Sequence, residues 1–262
     1  MRLDATTRAF VTGASQGIGR ALAEALAARG ASVGLASRSL GDLQALAASL
    51  SPPGRAFACD VGDPAAVQAA VDGYAEAAGG LDLVVANAGI AHYEPFLEQD
   101  PAHIEAMTRV NWLGTVHTVR AALPRLVAQR AGHVVIMSSG AALRAFPQAA
   151  AYGATKAAQR AFAGALRHEL AGTGVGVTTV FPGEIATRLH AHEEATMPAW
   201  YDGARADPAE LARLVLEAVE ADRRDVVHPR QIRPLGLDGI APRAVDRLLA
   251  RLRGPSAAPR TD

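Results

Sequence analysis

Tyr152 and Lys156 stand one helical turn apart in Tyr152-Gly-Ala-Thr-Lys156, near the start of a helical pattern. At that spacing both side chains leave one face of a helix. A phenol has an ordinary pKa of about 10, and a neighbouring ammonium favours the phenolate and lowers that value. The pair is therefore suited to give a proton to a carbonyl oxygen, or to take one from an alcohol. Two hydroxyls, Ser138 and Ser139 of Met137-Ser-Ser-Gly140, compete to hold that oxygen and stabilise the charge that develops on it. Ser138 falls at a strand end and is expected to bond backbone. Asn111 interrupts the helical run 107–119. Asparagine is poor inside a helix because its amide competes for backbone groups, so it is either a solvent-facing residue or one with a task.

A second constellation is made of backbone. Thr12-Gly13-Ala14-Ser15-Gln16-Gly17-Ile18-Gly19 follows an apolar strand and opens a helix. Free N–H groups and the helix dipole at such a terminus attract a pyrophosphate, and glycine lets the backbone come close to it. The spacing is G-x-x-x-G-x-G and not the commoner dinucleotide fingerprint G-x-G-x-x-G. The next strand ends in Ser37-Arg38. A carboxylate there would bond the ribose hydroxyls of an adenosine and repel a 2′-phosphate. Ser37 is neutral, and Arg38 can pair with such a phosphate through a charge-assisted fork.

Strands are expected over 9–12, 31–36, 55–59, 81–86, 133–137, 175–181 and 226–228. Helices are expected over 20–29, 40–50, 65–78, 101–130 with a bend near Pro124, 151–171 and 208–221. Such alternation implies crossover connections and a parallel sheet, and continuous apolar strands imply burial on both faces. The expected fold is α/β, one Rossmann-type doubly wound parallel sheet over 1–262. A substrate lid over 188–206, holding Met197, Pro198, Trp200 and Tyr201, and a flexible tail over 254–262 complete the chain.

Taken in order, these motifs resemble the short-chain dehydrogenase/reductase family from about residue 7 to 187. Gly13, Ser15, Gln16, Gly17, Ile18 and Gly19 match its cofactor turn. Asp60-Val61 resembles its adenine-contacting pair after the third strand, and Asn87-Ala88-Gly89 its motif after the fourth. Pro182-Gly183, with Ile185 and Thr187, resembles its segment beside the nicotinamide. Asn111, Ser139, Tyr152 and Lys156 fall where its catalytic residues fall, and the family's spacing to Tyr152 selects Ser139 over Ser138. The resemblance implies about seven strands and a homodimer or homotetramer. It gives Lys156 a second task, holding the nicotinamide ribose, and places Asn111 at a local kink with a water near Lys156. It implies reversible reduction of a ketone or aldehyde as a ketoreductase does, with NADP(H) preferred over NAD(H). Gln16 stands where many NADP-dependent members carry a second base, so the preference should not exclude NAD. A nucleotide-sensing regulator without catalysis and a lyase or epimerase variant are the rival readings.

The remaining features narrow the class. Basic and acidic residues number 26 each, without the basic excess of a nucleic-acid binder. One cysteine, Cys59, permits no internal disulfide and reads as a small buried residue. No G-x-S-x-G elbow marks a serine hydrolase. His190, His192, Glu193 and Glu194 lie in a polar segment and read as solvated, so no metal is expected. No stretch has the roughly 18 apolar residues of a membrane span, and the start lacks a signal region, so a cytoplasmic location is expected. Residues 242–252 form a basic amphipathic pattern, read as a cover for the core, a subunit contact or the pocket mouth before a membrane contact. Ile90, His92, Tyr93, Leu143, Phe146, Glu184 and Ile185 are expected at the substrate side, which suits a medium-sized apolar carbonyl compound.

Overall fold

A computed structural model of the chain describes residues 1–187, 189, 198 and 205–237. Seven strands form one parallel sheet: β1 (Arg8–Thr12), β2 (Ser32–Ser37), β3 (Arg55–Ala58), β4 (Leu83–Ala86), β5 (Gly132–Met137), β6 (Val175–Pro182) and β7 (Asp225–His228). Their order is β3-β2-β1-β4-β5-β6-β7. The winding reverses between β1 and β4, and an open α/β sheet leaves its crevice at such a reversal.

The apolar runs alternate between two cores. Val11, Leu83, Val85, Val135 and Met137 pack with α1 (Gly17–Ala27), α2 (Leu40–Ser49) and α7 (Pro208–Glu220). Phe10, Val84, Ala86, Val134 and Ile136 pack on α3 (Pro64–Ala78), α5 (Gly114–Ala128) and α6 (Ala150–Glu169). Each buried aliphatic side chain stabilises by about 1.5–3 kcal/mol, so both faces demand apolar residues and the strands show no polar alternation. Helix starts are written in Asp-Pro pairs. Asp63 accepts from Ala65 N at 2.9 Å, Asp100 from Ala102 N at 2.8 Å and Asp207 from Ala209 N at 2.8 Å. In each, proline supplies the first helical residue, whose N–H needs no partner.

The stretch 101–130 corrects the expectation of one helix bent at proline. It divides into α4 (Pro101–Met107), a π turn (Thr108–Leu113) and α5, and Pro124 lies inside α5 without ending it. The irregularity sits at Asn111, which is held by the backbone of Ile90 and by the side chains of Thr115, Thr155 and Gln159. Two short 3₁₀ turns, Gly140–Ala142 and Arg230–Leu237, were not foreseen. Most of the expected lid, the 242–252 helix and the tail lie outside the described residues.

Candidate active site

The glycine turn leaves β1 at Gly13, whose φ of 65° favours glycine. A Cβ on Gly19 would stand 2.3 Å from the Gly13 carbonyl oxygen, so α1 can seat itself against the turn only with glycine there. The helix begins without a side-chain cap and without an acidic residue in its first turn, which leaves its first N–H groups and its dipole open to an anion. Thr12 and Asn87 lock this turn to the end of β4. Thr12 Oγ1 accepts from Asn87 N at 3.0 Å, and Asn87 Nδ2 donates to Thr12 O at 2.9 Å and Gly13 O at 3.2 Å. The amide of Asn87 thus braces the two loops.

At the ends of β2 and β3, Ser37 accepts from Ser39 N at 3.2 Å. Asp60 accepts from Gly62 N at 2.9 Å and from Arg109 Nη1 at 3.0 Å. The Gly62 N–H first, and then Arg109 and Arg38, hold its carboxyl below the ordinary carboxylate range. Burial pushes the Cys59 thiol up to about 11, so it is not a nucleophile at neutral pH.

At the far end, Tyr152 and Lys156 of α6 are 5% and 4% exposed, with Lys156 Nζ 5.7 Å from the phenol ring centre. Lys156 Nζ donates to Met137 O at 3.1 Å, and Ser138 Oγ donates to Lys156 O at 2.9 Å. Ser138 therefore serves the backbone, as its strand-end position suggests. Ser139 accepts from Ala141 N at 3.1 Å, and its hydroxyl acts to lower the pKa of the Tyr152 phenol. Asn111 uses its whole amide: Oδ1 accepts from Ile90 N at 2.8 Å, and Nδ2 donates to Ile90 O at 2.9 Å and Thr155 Oγ1 at 3.1 Å. Its carbonyl accepts from Thr115 Oγ1 and from the buried Gln159 Nε2, each at 2.8 Å. A Cβ on Gly89 would lie 3.3 Å from Asn111 Oδ1 and 3.5 Å from Lys156 Nζ, so glycine leaves the space between them.

Burial sets the electrostatics here. It lowers Lys156 to about 7 and raises Tyr152, against the hydrogen bonds from Ser139 and Tyr93. The sequence led us to expect a lowered phenol pKa. In the cofactor-free protein desolvation outweighs Ser139 and Tyr93, and the same burial penalises the Lys156 ammonium, which would favour the phenolate.

One cavity of about 450 Å³ joins the two ends. Gly13, Ser15, Gln16, Gly17, Ile18, Ser37, Arg38, Asp60 and Val61 lie on its wall, as do Asn87, Ala88, Gly89, Ser139, Tyr152, Lys156, Pro182, Gly183, Ile185 and Thr187. Gly19 and Asn111 stand behind the wall and shape it. Ile90, Tyr93, Phe146, Glu184 and Leu189 line the mouth. His92 and Leu143 do not; His92 stacks on His103 with centroids 3.8 Å apart. Sequence reasoning missed Gln231, Ile232 and Leu235, which reach the cavity from the turn after β7, because no motif marks that segment. It also missed Arg109 and Gln159, whose partners are 49 and 48 residues away in sequence.

A family model for short chain dehydrogenases matches residues 7–198. The chain belongs to the short-chain dehydrogenase/reductase family. It is an oxidoreductase of that family, and the residues around the cavity fit the family's nucleotide cofactor: an uncapped helix start, glycines where a Cβ would fill the cradle, and a basic residue at the adenosine end. It is similar to an uncharacterized oxidoreductase of Myxococcus xanthus, 39% identical over 72% of this chain and 76% of that one. Among solved structures it resembles a short chain dehydrogenase/reductase of Burkholderia phymatum in complex with NAD, with 25% identity, TM-score 0.81 and coverage of 100% and 99% of the two chains. It also resembles an alcohol dehydrogenase of Thermococcus sibiricus complexed with 5-hydroxy-NADP, with 27% identity, TM-score 0.76 and coverage of 84% and 95%. These two proteins thus hold NAD and 5-hydroxy-NADP respectively. No helix among the described residues is long and apolar enough to cross a membrane.

Proposed function

We propose that this dehydrogenase/reductase interconverts an apolar ketone or aldehyde with its alcohol, using NADP(H) in preference to NAD(H). One observation carries the reading: Ser139, Tyr152 and Lys156 converge at the buried end of the cavity whose other end is the glycine turn with Arg38. A bound nicotinamide supplies or accepts the hydride. Ser139 Oγ and the Tyr152 hydroxyl hold the substrate oxygen. Tyr152 passes its phenolic proton to that oxygen in reduction and takes it back in oxidation. Lys156, charged again when an anion or the phenolate shares its pocket, stabilises the deprotonated tyrosine. Asn111 fixes Ile90 and Thr155 and so sets the wall on both sides of Lys156.

Relatives hold either nucleotide, so local residues support the NADP(H) preference. Ser37 puts no carboxylate at the ribose, and Arg38 faces the cavity. Ile90, Phe146, Leu189, Ile232 and Leu235 on the wall favour an apolar substrate.

The test is oxidation of NADPH and NADH against a panel of ketones and aldehydes, with wild type and Tyr152→Phe. Wild type should turn over with the better kcat/KM for NADPH. The variant should bind cofactor normally and lose about 10²–10⁴-fold in kcat, the contribution of a positioned acid. A variant that keeps more than about a tenth of the rate, or a wild type that prefers NADH, overturns the corresponding half of the proposal.

A further inference from the structure

Tyr93 has a place in no motif, and its phenol meets the one on which the proposed chemistry turns. The two rings are edge-on, with centroids 5.5 Å apart and planes at 74°. Both are buried in one small cluster with Ala91, Met107 and Ala149. Burial raises the pKa of the Tyr152 hydroxyl, and Ser139 and Tyr93 both act on it in the lowering direction. Both tyrosines lie on the cavity wall.

The loop that carries Tyr93 is clamped on either side of it. Asn111 takes both the N–H and the carbonyl of Ile90. Glu94 N donates to Gln148 O at 3.0 Å, and the Glu94 carboxylate meets His103 Nδ1 at 3.2 Å. A side chain on a five-residue segment pinned at both ends delivers its hydroxyl with little backbone entropy left to lose, which is what a pre-organised donor requires.

We propose that Tyr93 is a positioning residue whose hydroxyl donates to the oxygen of Tyr152 and favours its deprotonated form during alcohol oxidation. The inference rests on the assignment of Tyr152 as general acid and base. From the elements packed around it, Tyr152 faces Ser139 at the end of β5, Tyr93 from the β4 loop, Met107 of α4 and Lys156 of its own helix. Among these the titratable groups are Tyr93 and Lys156. A donor bonded to the charged form stabilises it, and burial pushes Tyr152 the other way.

The experiment is the pH profile of kcat for alcohol oxidation in wild type, Tyr93→Phe and Tyr93→Leu, with cofactor affinity measured separately by fluorescence. A hydrogen bond to a charged group shifts such an equilibrium by about one pH unit or more. Tyr93→Phe should move the rising limb upward by that amount. It should lower kcat about tenfold below the limb, leave the high-pH plateau intact and bind cofactor as wild type does. Tyr93→Leu should show the same shift together with a lower melting temperature. An unshifted limb in Tyr93→Phe, or a shift in Tyr93→Leu alone, overturns the inference and leaves Tyr93 a packing residue. Should wild type turn over no carbonyl or alcohol, the catalytic assignment fails separately. The tyrosinate absorbance titration then decides: the step missing in Tyr152→Phe should move to higher pH in Tyr93→Phe, and an unmoved step overturns the inference.

Discussion

The end of the cavity proposed for the nucleotide and the end proposed for the substrate are built from different material. At the end proposed for the nucleotide the turn is shaped by backbone: Gly13, Gly17 and Gly19 form it, the first helical N–H groups are left without a side-chain cap, and Thr12 and Asn87 tie the turn to β4. At the substrate end the wall is side chain: Tyr93 and Phe146 come from loops after β4 and β5, and Ile232 and Leu235 from the turn after β7. A backbone site depends on a few residue types at fixed spacing, so it can be read in order along the chain. A side-chain site depends on which loops meet, and several residue types could fill each place. The difference predicts that changes at the first end alter which cofactor binds, while changes at the second alter which substrate reacts.

The sharpest way to break this division is Arg38→Ala. Loss of a charge-assisted contact of about 1.5–3 kcal/mol should lower kcat/KM with NADPH ten- to a hundred-fold. Efficiency with NADH and the ranking of substrates should not move. A change in substrate ranking would show the two ends to be coupled.

Ile232→Ala tests the other end. Ile232 Cδ1 would stand 3.2 Å from a Cβ on Gly140, and Ile232 Cγ2 3.4 Å from one on Gly183, so the side chain rests over both segments that flank Ser139 and Pro182. Removing it should cost a well-fitted small apolar substrate about tenfold or more in kcat/KM, since one methylene in a pocket is worth at least that, and should favour bulkier ones. Cofactor dissociation constants should stay as in wild type. A weakened cofactor would place Ile232 at the nucleotide end.

The smallest expected effect is on stability. Burial depresses Lys156 from 10.5 to about 7. The unfolded chain therefore keeps this proton between about 7 and 10.5 while the folded protein releases it. Unfolding then takes up a proton, and stability from this group rises with pH across that window. The cofactor-free Lys156→Met variant, which has no such group, should melt above wild type near pH 6, with the gap closing towards pH 10. A gap that is constant with pH would mean that Lys156 stays charged in the fold.

The motifs from Thr12 to Thr187 and the alternation of strands and helices were legible in the sequence, because parallel strands buried on both faces must be apolar throughout and glycine turns admit few substitutes. The expectation that Ser138 bonds backbone follows from its place at the strand end, which turns it inward to Lys156 O. The irregularity in 101–130 was misplaced. Pro124 announces a break in sequence, yet α5 runs through it. The π turn is made by Gln159, Thr115, Ile90 and Thr155 gripping Asn111, and no local signal encodes partners brought from another helix and another loop.

The same division holds for the chemistry. The sequence by itself determined which groups could transfer a proton and hold an anion, because those capacities belong to residue types and to short spacings along one helix or turn. Only the tertiary structure decided their electrostatics and their neighbours. It buried Tyr152 and Lys156 enough to reverse the expected direction of the phenol, set Tyr93 against Tyr152 and brought Ile232 over Gly140 and Gly183. Burial and long-range contact are properties of the packed chain, and no window of sequence contains them.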